Sequence, residues 1–165
     1  MKRSQTNVTI LMADDDHDDQ ILVREALAES QLPIDLYIVS NGEDLLDYLY
    51  NHGLYTDKSK APRPGLILLD LNMPKKNGLE VLQDIKTDPI LRSIPVIVLS
   101  TSEDKQEIYR TYDLGANSFI TKPVKFAALV EIMKNIGKYW FGIVQLPLES
   151  VGEINEQRPH KSSVS

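Results

Sequence analysis

Apolar positions along the chain fall in short runs, and each run ends on a polar group. Val8 to Met12 leads to Asp14-Asp15-Asp16, Leu66 to Leu69 stops at Asp70, Pro95 to Leu99 stops at Ser100-Thr101, and Ser118 to Thr121 stops at Lys122-Pro123. Runs of this kind alternate with amphipathic segments, the pattern of βα units around a parallel sheet. It predicts strands near 8–13, 34–39, 66–70, 96–100 and 118–121. In an open parallel sheet, polar groups that follow the strands collect at the crevice beyond the strand carboxyl ends, where such folds bind ligands. Carboxylates, a hydroxyl and an ammonium are thereby aimed at one place.

The intervening segments read as helices. The first begins after Asp16 to Asp19, whose carboxylates suit the free N–H groups and positive dipole of a first turn, and Leu22, Val23, Ala26 and Leu27 give it a buried side. Asn41-Gly42 leads to a second over Glu43 to Tyr50. A third, Gly78 to Lys86, carries Val81, Leu82 and Ile85 on one face and stops before Asp88-Pro89. The fourth, about Glu103 to Leu114, ends at Gly115, a natural C-cap. The fifth starts about Val124 and carries Leu129, Ile132, Met133 and Ile136. Between the second helix and the third strand, residues 51–64 form a connection longer than most, either an ordered recognition loop or a flexible one. The apolar stretch Tyr139 to Leu146 follows the fifth helix, and from Ser150 onward the chain is polar and expected to be poorly ordered. Residues 1–149 thus read as one domain with an apolar extension, and 150–165 as a tail.

Composition narrows the function. At 165 residues the length suits one domain. No apolar stretch approaches the roughly 20 residues needed to cross a bilayer, and the polar start Met1 to Asn7 lacks the apolar core of a signal peptide. The chain has no cysteine, compatible with the cytoplasm. Its net charge of -6 argues against a nucleic-acid partner, which normally meets a basic face.

The clustered residues suit phosphoryl chemistry. Mg2+ prefers oxygen ligands and keeps several waters, so one or two carboxylates suffice, and Asp14 and Asp15 beside Asp70 supply them. Asp70 can also serve as a nucleophile, because carboxylates form acyl-phosphates. Ser100 or Thr101 can hydrogen-bond a phosphoryl oxygen while Lys122 meets another as a compact cation. Taken singly, these features have plainer readings. Asp14 to Asp19 alone suits a solvated helix start, Ser100 and Thr101 can cap the fourth helix, Phe119 is most simply a core aromatic, and the scattered His17, His52 and His160 do not suggest zinc. Asp14, Asp16, Asp18 and Glu25 match an EF-hand spacing, but Asp19 stands where that loop needs glycine.

In combination, the acid pair Asp14-Asp15, the segment Leu66 to Pro74 around Asp70 with Gly78 following, Ser100-Thr101 and Lys122-Pro123 resemble the response-regulator receiver domains, over about Thr9 to Gly137. The resemblance implies a doubly wound α/β fold with helices on both faces of a five-stranded parallel sheet, flavodoxin-like, in the order 2-1-3-4-5. It implies Asp70 as phosphoacceptor and Mg2+ held by Asp15, Asp70 and the main-chain carbonyl of Asn72, with Asp14 acting largely through water. It further implies a switch hydroxyl at Ser100, a switch aromatic at Phe119, Lys122 paired with the phosphoryl group or Asp70, and a cis Lys122-Pro123 bond. Ser100 departs from the commoner threonine, keeping the hydroxyl but losing a methyl.

The Pro-rich loop before the third strand and the Trp140-Phe141 segment ending in Leu146-Pro147 resemble the single-domain regulators that serve cyanobacterial phytochrome histidine kinases. The expectation is a cytoplasmic phosphoacceptor switch, with a sensor histidine kinase as partner and no membrane, nucleic-acid or effector-domain role. The rivals are a metal-dependent phosphatase and a receiver-like module that binds partners without phosphorylation. A homodimer is expected through the surface of the fourth helix, fifth strand and fifth helix, together with Tyr139 to Leu148, because those apolar groups left in water would make an unusually large patch.

Overall fold

The computed structural model describes residues 7–148. The tail from Ser150 and His160 lie outside the described residues, as do Met1 to Thr6. Five strands, β1 (Val8–Ala13), β2 (Ile34–Val39), β3 (Leu66–Asp70), β4 (Val96–Ser100) and β5 (Ser118–Thr121), alternate with five helices, α1 (His17–Ser30), α2 (Gly42–Tyr50), α3 (Gly78–Thr87), α4 (Lys105–Asp113) and α5 (Phe126–Gly142). The strands form one sheet in the order β2-β1-β3-β4-β5, every pair parallel. Register pairs Ile10 with Leu66, Ile67 with Val96 and Ile97 with Ser118. The expected fold and strand bounds are those observed.

Alternation along the buried strands divides the core in two, as a sheet covered on both faces requires. Leu11, Ile67, Leu69, Val96 and Val98 face one way and meet Leu45 and Tyr48 of α2 and Val81, Leu82 and Ile85 of α3. Ile10, Met12, Leu66, Leu68, Ile97 and Leu99 face the other and meet Val23, Ala26 and Leu27 of α1 and Leu129, Val130, Met133 and Ile136 of α5. Helix α4 buries only Thr111, so it is the lightest-packed of the five.

Helix ends follow local chemistry and shift some expected bounds. Helix α1 starts at His17, because Asp16 is its N-cap and accepts the N–H groups of Asp18 and Asp19, which puts those two acids inside the first turn. Helix α4 starts at Lys105, two residues later than expected, because Asp104 caps it by accepting the Gln106 N–H at 3.0 Å; Thr101 has no part in that cap. Helix α5 begins at Phe126 and runs on to Gly142. The expected cis bond at Lys122-Pro123 is absent: the described residues contain no cis peptide, and a trans bond already directs the Lys122 ammonium to the crevice.

The 51–64 connection is ordered. Asn51, in a left-handed conformation, donates its amide to the Tyr55 and Ala61 carbonyls, both at 3.0 Å, and the Tyr48 hydroxyl donates to the Pro62 carbonyl at 2.8 Å. The apolar segment Tyr139 to Leu148 is also less exposed than its sequence implied. Trp140 and Phe141 continue the helix and pack against the α1/α5 core, while Leu146 and Leu148 lie over Gly65 at the start of β3. Tyr139, Ile143 and Leu148 stay exposed.

Gly78 lets α3 start directly against the exit of β3. Its N–H donates to the Leu71 carbonyl at 2.9 Å, and an added Cβ would stand 2.6 Å from the Asp70 carbonyl oxygen and 2.5 Å from the Leu71 Cα, both rigid backbone atoms. Gly78→Ala should therefore destabilise the domain by about 1–3 kcal/mol through overpacking, read as a lower urea midpoint; an unchanged midpoint would show that the backbone yields freely there.

Candidate functional site

Each site residue sits where a strand ends. Asp14 follows β1 and is 1% exposed. It is fixed from several sides: its N–H donates to the Val39 carbonyl, one carboxylate oxygen accepts the Asp16 N–H at 2.9 Å, and its carbonyl accepts the Gln20 side-chain amide at 2.6 Å. Asp15, next in the chain, is exposed. Asp70 is the last residue of β3, is buried, and accepts the N–H of the exposed Asn72 at 3.1 Å. Carboxylate oxygens of Asp14, Asp15 and Asp70 all lie within 4.8 Å of one another. Three hard oxygen donors at that separation suit a small divalent cation.

Lys122 follows β5. Its ammonium donates to Asp14 at 2.9 Å and to Asp19 at 2.8 Å, and lies 3.5 Å from an Asp70 oxygen. Its N–H donates to the Ser100 carbonyl at 2.8 Å, which ties the ends of β4 and β5 together. Ser100 is fully buried, and its hydroxyl oxygen accepts the Ser102 N–H at 3.1 Å. Phe119 is half-buried against the α2/α3 core, and its N–H donates to the Tyr112 hydroxyl at 3.0 Å.

The electrostatics follow from burial. Desolvation pushes the Asp14 carboxyl up to about 6, against the pull of Lys122, and raises Asp70 in the same direction. Burial alone would lower Lys122, but its bonds to Asp19 and Asp14 more than offset this and hold its proton more tightly than usual. Among the described residues the crevice therefore gathers more carboxylate than the Lys122 ammonium neutralises.

Asp14, Asp15, Asp70 and Lys122 are brought together as their places at strand ends implied. Ser100 flanks them through β4, whereas Phe119 lies off the acid cluster, on β5. By sequence, Asp19 is only part of a helix start. Nothing in its local sequence marks it as a partner of Lys122, which lies 103 residues away.

The sequence matches the model of the response regulator receiver domain family over residues 10–134. It is 39% identical over 138 residues to the response regulator Rcp1 of Synechocystis, covering 84% of this chain and 92% of that protein. Among solved structures, the phosphorylated cyanobacterial phytochrome response regulator RcpA is 43% identical and superimposes with a TM-score of 0.79, covering 86% of this chain and 99% of that one. The Mn2+-bound form of Rcp1 is 38% identical with a TM-score of 0.77, covering 85% and 99%. The response regulator RPA3017, in red light signaling of R. palustris, is 36% identical with a TM-score of 0.81, covering 85% and 98%. With strand order, acid cluster and lysine all in place, the chain belongs to the response regulator receiver domain family.

Proposed function

We propose that this receiver is a phosphoacceptor switch of a two-component relay, with Asp70 as the acceptor, and that it answers a phytochrome-type sensor histidine kinase. The observation that carries the reading is Asp70 itself, a buried carboxylate at the end of β3 with oxygens of Asp14 and Asp15 within 4.8 Å and the Lys122 ammonium 3.5 Å away. The kinase assignment draws on the similarity to RcpA and to RPA3017. The absence of cysteine and of any helix able to cross a membrane among the described residues fits a cytoplasmic place, and the net charge of -6 fits a protein partner rather than nucleic acid.

In the transfer, an Asp70 oxygen attacks the phosphorus of the donor phosphohistidine. The O–P bond forms as the N–P bond breaks, and the imidazole leaves and regains a proton. Mg2+ held by Asp15, Asp70 and the main-chain carbonyl of Asn72, with Asp14 acting largely through water, would supply charge neutralisation for the incoming phosphoryl group. Lys122 meets a phosphoryl oxygen as a charged donor, and the Ser100 hydroxyl donates to another once it leaves its contact with the Ser102 N–H. Phe119 turns inward in response and alters the face made by α4, β5 and α5. Hydrolysis then returns inorganic phosphate and the free Asp70 carboxylate, with no substrate turned over, which separates a switch from a phosphatase.

We place a homodimer on that face together with the end of α5. Tyr109 and Tyr112 of α4, Val124, Phe126, and Tyr139 and Ile143 at the end of α5 are all exposed large apolar side chains, and aromatic anchors are frequent at interfaces. Truncation after Lys138 would also remove Trp140 and Phe141 from the core, so a point substitution is the cleaner probe.

Radiolabelled acetyl phosphate with Mg2+ should label the protein stoichiometrically, and Asp70→Asn should abolish the label while preserving the circular dichroism spectrum; full labelling of that variant would refute the assignment. In metal-free protein, the Asp14 carboxyl binds its proton more tightly folded (about 6) than unfolded (3.8), so its contribution to stability falls as pH rises through that interval and stays low above it. Asp14→Asn should accordingly gain urea resistance relative to wild type as pH is raised from 4 to 7, and a difference independent of pH would contradict the burial argument. Light scattering should find a dimer for the wild type and a monomer for Ile143→Asp, with Asp70 labelling retained in both; a wild type that is monomeric with and without phosphorylation would exclude the interface.

A further inference from the structure

Lys122 commits two of its three N–H donors to short bonds, with Asp14 at 2.9 Å and Asp19 at 2.8 Å, while Asp70 is at 3.5 Å. Both bonds draw the ammonium toward the α1 side of the crevice, and the two acids that make them differ in kind. Asp14 is buried and locked by the bonds to its own backbone and side chain. Asp19 lies on the first turn of α1 with 33% of its side chain exposed, and its carboxylate is not the cap of that helix, because Asp16 accepts both the Asp18 and the Asp19 N–H.

We infer that Asp19 is a positioning residue that holds Lys122 in the unphosphorylated arrangement and competes with the phosphoryl group on Asp70 for its ammonium. This rests on Asp70 being the phosphoacceptor. A phosphoryl group adds negative charge and strong acceptor oxygens beside Asp70. The third donor of Lys122 is uncommitted to a short bond, but the ammonium stands 3.5 Å from Asp70, and drawing it closer to that side lengthens one of its two short bonds. The bond to Asp19 is the one that yields, since water replaces the lost partner of a part-exposed carboxylate but not of a buried one. Asp19 thereby shifts the balance toward the unphosphorylated state by its differential contact with the two arrangements. General repulsion of the anion by the Asp19 charge acts without Lys122, so removal of the ammonium separates it from this coupling.

The test is a titration of the Mg2+-loaded protein with beryllofluoride, a phosphoryl mimic on carboxylates, followed by NMR shifts of the site amides. Asp19→Asn should lower the half-saturating concentration about two- to fivefold, the range carried by a part-exposed ion pair. Asp19→Glu should bring it back toward the wild-type value. In a Lys122→Met background, Asp19→Asn should change nothing, because the coupling runs through the ammonium. Equal or weaker beryllofluoride binding by Asp19→Asn, with its unfolding midpoint unchanged, overturns the inference, as does a shift that persists in the Lys122→Met background and so reflects general charge alone. A wild type that neither binds beryllofluoride nor takes label from acetyl phosphate refutes the phosphoacceptor reading instead, and the inference falls with it.

Discussion

The arrangement of the crevice depends on one ammonium placed among several carboxylates. Asp14 and Asp70 are buried where solvation cannot spread their charge, Asp15 and Asp19 stand close by, and Lys122 reaches Asp14 and Asp19 directly. Bringing like charges together and out of water is costly, and the cost shows in the upward displacement of both buried acids. A site with this surplus of negative charge favours a divalent cation, and in the phosphoacceptor function we propose the same lysine remains to meet an anion at Asp70. The chemistry of acceptance is thus a matter of charge balance more than of proton transfer, as phosphoryl transfer requires.

The sheet makes that concentration of charge tolerable. Parallel strands with both faces covered are rigid, and their carboxyl ends all emerge on one edge, so residues distant in sequence meet without any one loop having to be long. Close backbone packing finishes the job: Gly78 lets α3 press against the exit of β3, and the hydrogen bond from the Lys122 N–H to the Ser100 carbonyl ties β5 to β4 beside the site. Helix α1 is held by Asp16 at its start and packs with α5 over the core, which keeps Asp19 within reach of Lys122.

Packing is uneven across the molecule, and the unevenness fits a switch. Helices α1, α2, α3 and α5 each bury several side chains, whereas α4 buries Thr111 alone and leaves Tyr109 and Tyr112 exposed. An element with few buried contacts rearranges at low cost. It lies beside β5, where the Phe119 N–H donates to the Tyr112 hydroxyl, which links β5 directly to the exposed side of α4.

Much of this was legible along the chain. Strand positions and the meeting of Asp14, Asp15, Asp70 and Lys122 follow from apolar runs that end on chemically active residues, because strand period and buried-face composition are local properties; the 2-1-3-4-5 order rested on the receiver resemblance. Helix starts slipped by a residue or two where a capping side chain, Asp16 or Asp104, outweighed the hydrophobic pattern. What the tertiary structure alone decided is who touches whom at longer range. Asp19 reads as an ordinary first-turn acid until β5 brings Lys122 to it. Trp140 and Phe141 read as surplus apolar surface until α5 extends and packs them on the core. A sequence carries the propensity of each residue, but a pairing across 103 positions exists only once the chain has closed around it.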